Sequence, residues 1–152
     1  MKLDVTKEKL IQELVRERKL EEERVKKIVN TSRRDRKSIF QLLVDEGLIP
    51  EPELFDFLSD RLSMPLLNLP AVRVSKDLIQ LIPKRIIERY QILPISRIGN
   101  LLSIATSDPF NLMFHDDLKG LTKCHVVAVL ASSKMIGTAI DSYYGGDRKS
   151  VV

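Results

Sequence analysis

Apolar residues in the first third of the chain recur at helical spacing, and they do so twice. Leu10, Ile11, Leu14 and Val15 lie at i, i+1, i+4 and i+5, and Ile39, Phe40, Leu43 and Val44 repeat that order. This spacing turns one face of a helix inward. A shift of 29 positions brings Leu10 onto Ile39, Gln12 onto Gln41, Leu14 onto Leu43, Val15 onto Val44 and Glu17 onto Glu46. It also brings Leu20 onto Ile49, Glu22 onto Glu51, Val25 onto Leu54 and Val29 onto Leu58. Polar positions agree along with apolar ones, which periodicity alone does not impose. The pattern is two copies of one helix–turn–helix unit.

Punctuation supports the same division. Thr6 is placed to cap the first helix. Gly47 follows Glu46 where a helix should stop, because glycine reaches the left-handed conformation cheaply. Pro50 then stands where a first-turn proline begins the next helix, whose inward face is Leu54, Phe57, Leu58 and Leu62. The first copy has Arg18 in place of Gly47, so its turn must be built differently.

Ser63-Met64-Pro65 ends the duplicated region. Leu66-Leu67-Asn68-Leu69-Pro70 is short and bounded by prolines, which predicts an edge strand. Ser75 predicts a cap for a helix over Lys76–Leu81, and Pro83 opens another over Lys84–Tyr90. Ile92–Ser96 and Leu101–Ala105 are strand-like and joined through Gly99-Asn100, a tight-hairpin pair. After Asp108-Pro109 the pattern predicts a helix over Asn111–Leu121, with Leu112, Met113 and Leu118 inward. His125–Leu130 is a β-branched run expected as a central strand. Ser132 or Ser133 caps a last helix through Ile136, Ala139, Ile140 and Tyr143, stopped by Gly145-Gly146. The expected fold class is α+β: a duplicated helix–turn–helix motif (residues 1–64) packed on a small α/β sandwich with a three- to four-stranded sheet (65–146), then a mobile tail (147–152).

Composition narrows the function. The net charge is +4, but residues 1–37 hold 13 Lys/Arg against 8 Asp/Glu and the remainder 12 against 13. The excess culminates in Arg33-Arg34-Asp35-Arg36-Lys37, either an anion-attracting patch or a solvated loop between helices. Aromatic residues are 5% and Trp is absent, which argues against a nucleic-acid partner. One cysteine, Cys124, allows no internal disulfide and fits a reducing compartment. The polar start Met1–Lys7 lacks the apolar run expected of a signal peptide, and no apolar stretch approaches the ~20 residues of a membrane helix. The chain reads as cytoplasmic, with no transmembrane segment.

No catalytic constellation stands out. The six glycines precede Leu48, Asn100, Leu121, Thr138, Gly146 and Asp147, never a lysine, so this sequence contains no P-loop. His115-Asp116-Asp117 is the one cluster that resembles a metal set. Neighbours on a helix point about 100° apart, so three in a row do not converge on an ion. No catalytic residue, metal or cofactor is expected, and Cys124 reads as a small core residue.

The order of motifs resembles a known family. Leu42-Leu43-Val44-Asp45-Glu46-Gly47-Leu48-Ile49 with Leu54 and Leu58, then Ser59–Leu69, Leu81-Ile82-Pro83 through Tyr90, and Pro94-Ile95 follow its sequence. Ala105-Thr106-Ser107-Asp108-Pro109, Asp116-Asp117-Leu118 and Tyr143-Tyr144-Gly145 continue it. Residues 7–145 are similar to the N-terminal domain of the assembly ATPases of type II secretion and type IV pilus systems. The resemblance implies a non-catalytic domain that docks the motor onto the cytoplasmic domain of a membrane-platform protein, peripheral to the inner membrane. In some members the duplicated motif binds cyclic di-GMP. The corresponding candidates here are Ile39, Leu43, Val44, Gly47, Leu48, Ile49, Leu54, Leu58 and Arg61, with Arg36 and Lys37 as phosphate partners. The nucleotide-binding pattern begins each copy with Arg-Leu-Gly and ends it with Gln. This chain has Ser38-Ile39-Phe40 and Arg61 in the second copy, and Lys9-Leu10-Ile11 and Ser32 in the first. A guanidinium is thus missing at Ser38, and Cβ atoms stand where glycine admits a ligand to the backbone.

Overall fold

The computed structural model describes residues 6–111 and 113–145. The expected core contact Leu112, Gly146 of the terminal stop, the start Met1–Val5 and the tail 147–152 lie outside the described residues. The chain divides into two compact units, Met1–Pro65 and Leu66–Val152.

Among its described residues the first unit has four helices in two pairs. Helix α1 (Lys7–Arg18) begins where the Thr6 hydroxyl accepts the Lys9 amide at 3.2 Å. Helix α3 (Ile39–Asp45) begins in the same way, Ser38 Oγ accepting from Gln41 at 3.4 Å. Such caps satisfy amides that a helix start leaves without partners. Their companions are α2 (Glu22–Asp35) and α4 (Glu51–Leu62). Pro50 sits one position before α4 as its N-cap, and it is Pro52 that occupies the first turn. Leu10 and Leu14 from α1, Leu43 from α3, and Leu54, Leu58 and Leu62 from α4 are all at most 1% exposed. Each contributes about 1.5–3 kcal/mol by leaving water.

The two pairs turn by different means. Gly47 takes φ +75° and the Leu48 amide reaches back to the Leu43 carbonyl at 3.0 Å. In the first pair Lys19, not Arg18, takes the left-handed conformation (φ 53°), and Leu20 reaches back to Val15 at 3.0 Å. The second helices end alike. Ser32 Oγ donates to the Lys37 carbonyl and Ser59 Oγ to the Met64 carbonyl, around left-handed Arg36 and Ser63. Here the offset between copies is 27 positions, because α2 has 14 residues and α4 has 12. The basic run is therefore the last turn and cap of α2 rather than a loop. Arg33 and Arg34 are well placed there against the negative end of the helix dipole.

The second unit is the α+β part. Strands β1 (Leu93–Ile98) and β2 (Leu101–Thr106) form an antiparallel hairpin through Gly99 (φ +61°) and Asn100. Strand β3 (His125–Leu130) lies parallel to β2, reached through α7 (Met113–Thr122). The order β1-β2-β3 makes β2 central, so β3 is an edge strand and not the central one its β-branched content suggested. The expected strand Leu66–Pro70 is only an isolated bridge, Leu66 to Leu130, with the Leu67 amide on the Leu130 carbonyl at 2.8 Å. Its continuation Leu69–Ala71 is a 3₁₀ turn, since Pro70 has no amide to extend a ladder. Helices α5 (Lys76–Leu81), α6 (Lys84–Tyr90) and α8 (Ser133–Tyr144, capped by Ser132) complete the unit. Phe114 and Leu118 of α7 and Ile136 and Ile140 of α8 join Leu93, Leu102 and Ile104 of the sheet in one core. Cys124 is buried in it.

Candidate functional site

The eleven candidates of the second repeat separate by depth. Ile39, Leu43, Ile49, Leu54 and Leu58 are at most 3% exposed, so their side chains belong to the interior. Val44 and Leu48 are half-buried, while Gly47, Arg36 and Lys37 are exposed. Leu48 alone of them lines a cavity of about 250 Å³ shared with Arg24, Lys27, Ile28, Leu42 and Glu46. Arg24 there donates to the Glu46 carbonyl at 2.9 Å and lies 3.8 Å from Glu21. Sequence reading passed over Arg24 and Lys27. Their spacing of three on one helix was the available signal.

Arg61, the one cation inside the second copy's pattern, is already occupied. Its guanidinium donates to Glu17, lies 3.6 Å from both Glu13 and Asp60, and sits 4.6 Å above the Phe57 ring. The hydrogen bond to Glu17, the largest influence, holds it still more firmly protonated. A guanidinium engaged with three carboxylates must lose those contacts to take a phosphate. Arg36 and Lys37 are exposed beyond α2, where Arg34 holds the Asp35 carboxyl below its usual range through a hydrogen bond.

A larger surface feature lies on the first repeat. Ile11 and Val15 of α1, Leu20 of the turn, and Val25 and Val29 of α2 line a groove of about 850 Å³. Their counterparts in the second repeat are Phe40, Val44, Ile49, Leu54 and Leu58. Four of those are at most 2% exposed. In the groove only Val25 is buried, and the other four are half-buried. One apolar pattern therefore lines an interior in one copy and an open surface in the other.

In the second unit the motif residues are spent on architecture. Tyr143 OH accepts the Val74 amide at 3.2 Å, and Tyr144 OH donates to the Ile79 carbonyl at 2.9 Å, tying α8 to the segment before α5 and to α5 itself. Burial pushes the Tyr144 phenol up to about 12. Gly145 caps α8, and the position needs glycine because a Cβ there would meet the Asp141 carbonyl oxygen at 2.3 Å. Thr106 Oγ1 donates to the Asp108 carbonyl and accepts its amide, both at 3.2 Å, and Asp108 Oδ1 accepts from Phe110 at 2.9 Å. That fixes the exit from β2. Asp117 accepts from Tyr90 OH, and His115 stacks on Phe114. Among the described residues no three His, Cys, Asp or Glu side chains are grouped to hold a metal. Nor is any helix there long and apolar enough to cross a membrane.

Helical pairs, a β-hairpin, a βαβ crossover and a tyrosine-anchored last helix together define the N-terminal domain class of secretion and pilus-assembly ATPases. The MshEN domain family matches residues 62–150, and the chain belongs to it. It is 37% identical over 131 residues to the type IV pilus assembly ATPase PilB of Myxococcus xanthus, covering 86% of this chain and 23% of that protein. The chain thus spans under a quarter of the length of that relative. Among solved structures it is similar to MshE with cdg (cyclic di-GMP), with TM-score 0.71 and 29% identity over 89% of this chain and 98% of the other. The N-terminal domain of XpsE has the same fold, with TM-score 0.69 and 16% identity over 93% of this chain and 97% of that one. The family match begins at the last residue of α4, so it falls on the second unit, whereas the resemblance in the sequence rested as much on the repeat.

Proposed function

We propose that this chain is a non-catalytic docking domain that holds a secretion or pilus-assembly ATPase against the cytoplasmic domain of a membrane-platform protein. It works in the cytoplasm and reaches the inner membrane through that partner. The observation that carries the reading is the state of Arg61: the only cation within the second copy's pattern is neutralised by Glu13, Glu17 and Asp60. With Ser38 where the nucleotide pattern has arginine, the repeat offers a nucleotide few donors and a protein partner a mixed apolar and charged surface. Immobilised platform cytoplasmic domains tested against this chain should give saturable binding. Absence of binding to every such domain would remove the proposal.

A second reading is a cyclic di-GMP receptor, favoured by the likeness to MshE with cdg at 29% identity. In that reading Arg36 and Lys37 take the phosphates, and Val44, Gly47 and Leu48 meet the bases. Calorimetry separates the two: heat and a thermal shift with cyclic di-GMP support the receptor, and their absence at large ligand excess leaves the docking domain alone.

A further inference from the structure

We propose that the α1–α2 groove is a self-association surface, closed in solution by the same groove of a second copy of this chain. The first argument is internal to the molecule. The repeat supplies apolar residues at five matched positions, and the second copy buries four of them almost completely. At three of those four the first copy leaves its residue, Ile11, Leu20 or Val29, half-open to water, and Val15 beside them is half-open like its counterpart Val44. A contiguous apolar groove on a surface marks an interaction site.

The second argument is the order of charge, which selects the occupant. Facing the groove, α1 presents Glu8, Ile11, Gln12, Val15 and Arg16, while α2 presents Glu22, Val25, Lys26, Val29 and Asn30. Both sets follow i, i+3, i+4, i+7, i+8, a single helical stripe. On α1 the order is acid, apolar, amide, apolar, base, and the opposite charges Glu8 and Arg16 stand four residues to either side of Gln12. Two copies of α1 crossing antiparallel at Gln12 therefore set Glu8 against Arg16 of the other copy, twice, with the amides meeting at the centre. A two-fold interface requires this self-complementarity. The groove's charged residues balance, two acids against two bases, although they lie in the most basic segment of the chain. A groove shaped for a strongly acidic or basic partner would carry one sign.

Sedimentation velocity of the full chain, from about 1 μM to about 1 mM, tests this across the range of weak interfaces. A concentration-dependent monomer–dimer equilibrium is expected. Val15→Asp should leave only monomer with an unchanged circular dichroism spectrum, since Val15 is half-exposed. Glu8→Arg should raise the dimer Kd about tenfold through two like-charged contacts. Adding Arg16→Glu to Glu8→Arg should restore the dimer, because both contacts are then reversed together; this arm does not depend on disrupting the apolar face. A monomer at every concentration, or a dimer indifferent to Val15→Asp and to the charge swap, overturns the proposal and leaves the groove to a different partner.

Discussion

The two repeats began as one pattern and now do different work. At the five matched apolar positions the second copy carries Phe40, Val44, Ile49, Leu54 and Leu58, where the first has Ile11, Val15, Leu20, Val25 and Val29. In the second copy side chains are larger on average and nearly all interior; in the first they are mostly β-branched and line a groove. Around them the second copy has Asp45 and Phe55 where the first has Arg16 and Lys26. Sequence repetition thus preserved the helix–turn–helix frame while its apolar face was assigned to a core in one case and a surface in the other. Apolar periodicity reports which face is hydrophobic and not what covers it.

The most forceful way to break this comparison is to truncate matched residues. Leu58→Ala, at 0% exposure, should cost about 2–5 kcal/mol of stability. Its counterpart Val29→Ala removes less hydrocarbon from a half-exposed site and should cost under about 1.5 kcal/mol. Urea unfolding of both variants measures the gap, and equal losses would mean that the two faces are covered alike.

The turns give opposite signs. Gly47→Ala places a Cβ on a left-handed residue with nothing within 4 Å of it, so the cost is backbone strain alone, about 1–2 kcal/mol. Lys19 bears that strain natively, and Lys19→Gly should stabilise by about 0.5–1 kcal/mol. Thermal melts of the pair would show whether the first repeat's later turn is a strained form of the second's. The serine caps should instead behave as equals. Ser32→Ala and Ser59→Ala each remove one hydroxyl–carbonyl bond at the end of a second helix, for about 0.5–1.5 kcal/mol apiece. A large difference between them in unfolding measurements would show that the shared cap geometry carries unequal load.

Local chemistry made most of this fold legible. Thr6, Ser75 and Ser132 each accept the amide three residues on, and a cap is readable because both partners lie within four residues. What failed depended on distant neighbours. His125–Leu130 is apolar enough for a central strand, yet Leu66-Leu67 bridges only its last residue, and its edge position follows from the topology. The site suffered in the same way. Arg61 reads as an available cation until Glu17, 44 positions earlier, is brought onto it. The groove was hidden by its own regularity, since Ile11, Val15 and Val29 look like core residues when scored by spacing.

A smaller effect locates acid sensitivity outside both repeats. The chain's two histidines, His115 and His125, both belong to the second unit. His115 packs its ring against Phe114, and its Nε2 is buried without a hydrogen-bond partner among the described residues. Burial holds its pKa below the ordinary 6.5; Asp116 opposes that shift and His125 adds to it. Below pH 6.5 the unfolded chain therefore binds a proton that the folded chain resists. Stability is flat above 6.5 and falls as pH drops toward the folded pKa. Asp35, whose pKa is also lowered, acts only at carboxylate pH and lies below this window. Urea midpoints at about pH 7.5 and pH 5.5 should differ slightly in the parent chain and converge in His115→Phe. Dimer affinity should not change across the same interval, because neither histidine lines the groove. A pH slope that survives His115→Phe would assign the acid response to another group, and a pH-dependent dimer would tie the histidines to the groove and break the separation drawn between repeat and second unit.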